Sequence, residues 1–158
     1  MTERLWAPWR LEYVQGAADR AGCVFCAGAE DSELIVHRGR TAYVLMNLYP
    51  YANGHLMVAP YRHVAEPGEL ESGEQAELWE LFGRAIAAMR EALGPEGFNA
   101  GFNLGRVAGA GVIDHLHLHV VPRWNGDTNF MPVLADVKVI PEHLLETRRK
   151  LAEAWPQR

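Results

Sequence analysis

The segment His115–Val121 reads H-L-H-L-H-V-V, and no other stretch restricts the chain as much. Side chains alternate between the faces of a β-strand, so an extended backbone puts His115, His117 and His119 on one face and Leu116, Leu118 and Val120 on the other. Imidazole is the side chain whose unperturbed pKa lies nearest neutrality. Gly105, Gly109 and Gly111 precede the run, and glycine lets bare N–H groups approach an anion closely. Three aligned imidazoles behind such a loop point to phosphate chemistry. The plain alternatives are a strand with a polar face and a simple metal site.

The rest of the chain reads as a frame for that strand. Leu34–His37 and Thr41–Leu48 are short apolar runs. The turn residues Y-P-Y-A-N-G follow, and His55–Pro60 resumes, so Thr41–Leu48 and His55–Pro60 read as a β-hairpin. Glu66-Pro67-Gly68 breaks the pattern. Ser72 and Gln75 have capping-box spacing, and Leu78, Leu81, Phe82, Ala85, Ile86, Met89 and Leu93 form one helical stripe that Gly94-Pro95 ends. In 97–104, Phe98, Ala100, Phe102 and Leu104 share a face and Asn99 and Asn103 the other. That strand should pair antiparallel with the histidine strand and bring Asn103 toward the imidazoles. Val133–Ile140 reads as extended. Pro141 suits the first turn of a helix carrying Leu144, Leu145, Leu151, Ala152 and Trp155. At 158 residues, with no repeat or linker, one domain is expected over 1–158, with an N-terminal arm (1–22) and a C-terminal helix (141–155).

Composition narrows the class of partner. Net charge is -5, so a nucleic-acid polymer is not expected. No apolar run approaches the ~20 residues of a membrane span and no signal-peptide pattern opens the chain, so the expected location is the cytoplasm. In that reducing setting the C-V-F-C of Cys23 and Cys26, in a turn-rich region ending at Gly28, reads as half a zinc site or a redox pair, with two free thiols as the bland alternative. Trp6, Trp9 and Tyr13 suggest an arm packed on the body or a lid.

H-L-H-L-H-V-V resembles the H-φ-H-φ-H-φ-φ signature (φ apolar) of the histidine-triad family of nucleotidyl hydrolases and transferases. The resemblance covers roughly 23–132. W-A-P-W-R at 6–10, N-L-Y-P-Y at 47–51, G-H-L-M-V-A-P-Y-R at 54–62 and H-V-V-P-R-W-N-G-D-T-N-F at 119–130 look most like the branch of diadenosine tetraphosphate phosphorylases of mycobacterial type. The resemblance implies an α+β fold with a five-stranded antiparallel sheet and two helices, as a homodimer. It makes His117 the nucleophile that takes an adenylyl group, with His119 bonded to the leaving phosphate oxygen and His115 completing the triad. His55 matches the family's fourth histidine and Asn47 a ribose contact. Asn103 and the N–H groups around Gly109, Gly111 and Val112 would hold phosphate oxygens. It also implies a structural Zn2+ on Cys23, Cys26, His63 and His115. Tyr49 and Trp124 are candidates to stack on a base or to pack in the core. Arg123 could pair with a phosphate or an acidic neighbour.

One departure bears on the reaction. The hydrolase branch carries Gln and then Ser or Thr just before its triad, where this chain has Gly111 and Val112. Neither side chain can orient a water. The expected reaction is therefore phosphorolysis, in which diadenosine tetraphosphate and inorganic phosphate give ADP and ATP. The alternatives are hydrolysis of a dinucleoside polyphosphate or nucleoside phosphoramidate, and a zinc-stabilised nucleotide-binding protein without turnover.

Overall fold

The computed structural model describes residues 22–127 and 141–157. The arm with Trp6 and Trp9 and the extended reading of Val133–Ile140 lie outside them. Among the described residues the order is α1 (Val24–Asp31), β1 (Ile35–Arg38), β2 (Ala42–Met46), β3 (Leu56–Pro60), α2 (Ser72–Leu93), β4 (Gly97–Phe102), β5 (Leu118–Arg123) and α3 (Leu144–Glu153), with short 3-10 turns at Pro67–Glu69 and Arg106–Ala108. The strands form one five-stranded sheet, β1-β2-β3-β5-β4, antiparallel at every step.

Alternation divides the sheet into two apolar faces. Val44, Met46, Leu56, Val58, Leu118 and Val120 turn one way and meet Leu78, Leu81, Ala85 and Met89 of α2 and Leu151 of α3. Tyr43, Leu45, Met57 and Ala59 turn the other way and are covered by Phe25 and Ala29 of α1. Burying such aliphatic side chains supplies ~1.5–3 kcal/mol each, the main force holding helices to sheet. The second face also carries His119, set between Met57 of β3 and Gly101 of β4. Gly101 has no side chain to crowd the imidazole.

Three local expectations need correction. The C-V-F-C stretch is helical: Cys23 is the N-cap of α1 and Cys26 lies in its first turn. The capping box of α2 is one residue earlier, on Glu71 and Glu74. Glu74 accepts from the Glu71 N–H (2.8 Å) and is held by Arg62 (2.5 Å), while the Gln75 amide donates to the Leu70 carbonyl. α3 begins at Leu144 and not at Pro141, because the His143 ring accepts from the Leu145 N–H and so caps the helix. Among the described residues, α1 stands beside the two expected helices.

Two ties outside the sheet matter below. Glu77 of α2 is buried and accepts from the backbone N–H of Arg40 (2.9 Å) and Thr41 (2.5 Å) and from the Thr41 hydroxyl, which pins α2 to the β1–β2 turn. Gly54 has φ 77°, and a Cβ there would fall 2.4 Å from Leu93 Cδ1, so the β2–β3 turn presses on the end of α2.

A candidate active site of four histidines

The regular part of β5 starts at Leu118, so His119 is in the strand while His115 and His117 lie in the segment leading to it. Leu116 bonds sideways, its N–H donating to the Val64 carbonyl (2.6 Å), and this keeps the segment extended and the imidazoles on one side. His115, His117, His119 and His55 are all buried.

Each ring has an identifiable tautomer. His117 Nδ1 lies 2.8 Å from the carbonyl of His115. A carbonyl only accepts, so Nδ1 carries the proton and Nε2 keeps its lone pair. The acceptor belongs to the ring's own segment. Burial pushes the His117 pKa below its usual value, and the His115 carbonyl only partly opposes this. The ring is therefore a neutral imidazole, stacked on Phe25 (centroids 4.6 Å apart) and edge-on to His119 (4.8 Å).

A second chain of bonds ends on His119. The Tyr51 N–H donates to His55 Nδ1 (3.0 Å), so His55 is protonated at Nε2. That nitrogen is 2.9 Å from His119 Nδ1 and donates to it, which puts the His119 proton on Nε2. The Asn103 amide nitrogen sits 3.5 Å from that Nε2, near enough to serve the same ligand atom but, with both groups protonated, not bonded to the ring. The bare nitrogen of His117 and the protonated nitrogen of His119 thus belong to adjacent rings: a nucleophile beside a hydrogen-bond donor. Asn47 is buried, with its amide 3.3 Å from His55 Nδ1 and its Oδ1 accepting from the Tyr49 N–H. It supports the turn that carries His55.

His115 faces elsewhere. Its Nε2 donates to the Pro60 carbonyl (2.9 Å), which leaves Nδ1 bare, 3.3 Å from Cys23 Sγ and 3.6 Å from Cys26 Sγ. His63 Nδ1 is 3.4 Å from Cys26 Sγ. The ligand atoms of Cys23, Cys26, His63 and His115 lie within 4.8 Å of one another and could hold a metal ion. A zinc tetrahedron with ~2.3 Å bonds to sulfur and ~2.0–2.1 Å bonds to nitrogen has edges of about 3.3–3.8 Å, close to these separations. The Pro60 carbonyl is the outer partner that an imidazole ligand normally has. Burial and the neighbouring Cys23 push the Cys26 thiol up, which a bound cation would reverse.

The remaining candidates divide. Gly111 and Val112 line a cleft of about 290 Å³ with Cys23, His63, Arg106 and Asp114, beside the cysteine cluster. Gly109 has φ 86° and closes the 3-10 turn, its N–H donating to the Arg106 carbonyl. Arg123 is held by Asp127 (2.5 and 2.9 Å) and Asn99 (2.7 Å), so its acidic-neighbour reading is the one realised. Among the described residues no bond or ring contact of Arg123 or Trp124 reaches the imidazoles, and Tyr49 is exposed. Sequence reasoning missed Phe25, the Tyr51 N–H and Arg106. Only Arg106, a cation inside the glycine loop, left a trace in the sequence.

Comparison with known proteins agrees with this geometry. Residues 28–126 match the family model of the HIT domain. The chain is 42% identical over 164 residues to an AP-4-A phosphorylase from Mycobacterium tuberculosis, covering 97% of this chain and 84% of that protein. It is 31% identical over 105 residues to an adenosine 5'-monophosphoramidase from Schizosaccharomyces pombe, covering 65% and 75%. A Zn-bound histidine triad family protein from Mycobacterium smegmatis superposes with a TM-score of 0.68 at 27% identity, covering 88% and 94%. Both relatives named for an activity are enzymes. With the family model spanning most of the chain and all four histidines gathered on one face, the chain belongs to the histidine-triad (HIT) family.

Proposed function

We propose that this histidine-triad enzyme is a nucleotidyl transferase that cleaves dinucleoside polyphosphates by phosphorolysis. The observation that carries the proposal is the 2.8 Å bond from His117 Nδ1 to the His115 carbonyl. It holds a neutral ring in the tautomer whose Nε2 attacks. That nitrogen forms a bond to the α-phosphorus of diadenosine tetraphosphate. The bond to the bridging oxygen breaks, and ATP leaves on the oxygen that His119 Nε2–H serves. Inorganic phosphate then attacks the adenylyl-His117 phosphorus, ADP is released, and His117 returns neutral. Asn103 and the N–H groups of the loop through Gly109, Gly111 and Val112 would hold equatorial phosphate oxygens, a preorganised anion hole. Arg106 on the same loop, rather than the paired Arg123, would attract the incoming phosphate. Asn47 would reach the ribose, with Trp124 or Tyr49 toward the base.

The 42% identity to an AP-4-A phosphorylase supports this reading, as does the absence of a side chain at Gly111 that could orient water. Cys23, Cys26, His63 and His115 would hold a structural Zn2+, which supplies no step of the reaction but fixes α1 and the carbonyl of His115. Two thiolate ligands suit a reducing compartment, the cytoplasm. We further propose one domain over 1–158, assembled as a homodimer.

The test is product analysis with and without phosphate. Phosphorolysis gives ADP and ATP only when phosphate is present. AMP formed at equal rate in phosphate-free buffer would replace this reading with hydrolysis, the chemistry suggested by the phosphoramidase relative. Binding without product in either buffer would leave a nucleotide-binding protein. Gly111→Gln should shift products toward AMP, since it narrows the phosphate pocket and offers water an amide.

A further inference from the structure

The proton on His119 is set by a backbone N–H in an irregular turn. The order of donors runs from Tyr51 N–H to His55 Nδ1, and from His55 Nε2–H to His119 Nδ1. If the turn 47–55 shifts, His55 loses the bond that fixes its tautomer and His119 loses its assigned proton.

The turn is braced from two sides. On one, Gly54 lies against Leu93 at the end of α2. On the other, the fully buried Thr147 of α3 places Oγ1 3.1 Å from the side-chain amide of Asn53 and 2.7 Å from Glu142 Oε2. A hydroxyl has one proton and two lone pairs. Its proton is shared between two acceptors, Asn53 Oδ1 and the Glu142 carboxylate, so one hydroxyl ties the turn to the head of α3. Lys150 pairs with the other oxygen of Glu142. Lys150 and the Thr147 hydroxyl together hold the Glu142 carboxyl below its usual pKa, so it stays an acceptor. α3 is itself fixed: Leu151 and Trp155 are buried in the main core, and Arg148 Nε donates to the Ile35 carbonyl (2.6 Å).

We propose that Thr147 and Asn53 are positioning residues for catalysis, through which α3 clamps the β2–β3 turn and thereby sets the tautomers of His55 and His119. Their catalytic part rests on the proposed reaction. Their part in the tautomer does not.

The experiment compares full-length wild type, Thr147→Val, Thr147→Ser and Asn53→Ala. Turnover of diadenosine tetraphosphate with phosphate is measured, and imidazole tautomers are read by long-range proton–nitrogen correlation spectra. Thr147→Val should lower kcat about tenfold with KM within about twofold, the expected cost of a small misplacement remote from the chemistry. It should also move His55 from the pure Nε2–H tautomer to a mixture, and Thr147→Ser should restore both. A folded Thr147→Val protein with the wild-type His55 tautomer overturns the clamp, whatever its kcat. An altered tautomer with unchanged kcat overturns the catalytic part. If Thr147→Val does not fold, Asn53→Ala removes the same bond from the turn side and carries the comparison. Should wild type cleave no dinucleotide, the proposed reaction fails, while the spectra still support or overturn the clamp.

Discussion

His117 and His119 are chemically identical side chains made different by a single partner each. His117 gives its Nδ1 proton to the His115 carbonyl, while His119 Nδ1 receives one from His55. One ring therefore presents a lone pair and the other a proton, both neutral, within a single patch of buried surface. His117→Gly should abolish turnover, by at least about a thousandfold, because a covalent nucleophile has no substitute among the neighbouring rings. Its far-ultraviolet spectrum should match wild type, since Leu116 and Leu118 keep the segment in place. Activity within tenfold of wild type would remove His117 from the role. His55→Ala acts one bond further back: it leaves His119 in place but with no donor to its Nδ1. A loss of about a hundredfold is expected, in the range for losing a preorganised hydrogen-bond donor at the leaving oxygen, with KM little changed in initial-rate kinetics.

At the scale of elements, alternation in β5 and the stripe of α2 were legible because both depend on local period alone. Leu78, Leu81, Ala85 and Met89 are buried as that stripe requires. What the sequence hid depends on partners distant along the chain. Phe25 meets His117 across 92 residues and Thr147 meets Asn53 across 94. The Tyr51 N–H is invisible because every residue but proline has one. Cys23 and Cys26 read as turn residues because a helix as short as α1 gains its stability from packing on Tyr43 and Met57, not from propensity. Glu77 belongs to the same hidden class: a charged residue on the apolar side of α2. Burial alone would raise its pKa, but the Thr41 hydroxyl and the backbone N–H groups of Arg40 and Thr41 outweigh it and bring the carboxyl to about 2. A depressed folded-state pKa gives stability that is present above the ordinary carboxylate range and lost as pH falls toward that value. Glu77→Gln should thus cost about 2 kcal/mol in urea unfolding at pH 7, the worth of a bond to a charged group. The difference from wild type should shrink by about pH 3. A constant difference across that range would show that shape, not charge, is at stake.

On the scale of the whole molecule, two features extend beyond one sheet and one helix. The cluster of Cys23, Cys26, His63 and His115 joins α1, the end of β3 and the triad segment, so a bound zinc would act as a staple across three parts of the fold. Protein purified without added metal should carry one zinc per chain, and chelation should lower its melting temperature. Metal-free protein with both thiols freely titratable in the folded state would refute the site. The other feature is β4. Among the described residues β5 is its sole neighbour, so one row of its N–H and C=O groups has no strand to pair with. An open edge is a template for unwanted pairing, and proteins cover it, charge it or break it. β4 contains no charged residue and no proline, and Asn99, Ala100 and Gly101 are exposed. Its small residues allow a second strand to approach, and Leu104 and Val107 just beyond it are also exposed. A second copy related by a two-fold axis would pair β4 with β4, join two sheets into one, and cover both apolar side chains. Light scattering at micromolar concentration should therefore give twice the chain mass of 17.7 kDa, and the outward amides of β4 should exchange slowly. A monomeric mass with fast exchange along 97–102 would mean that the edge is left open in solution.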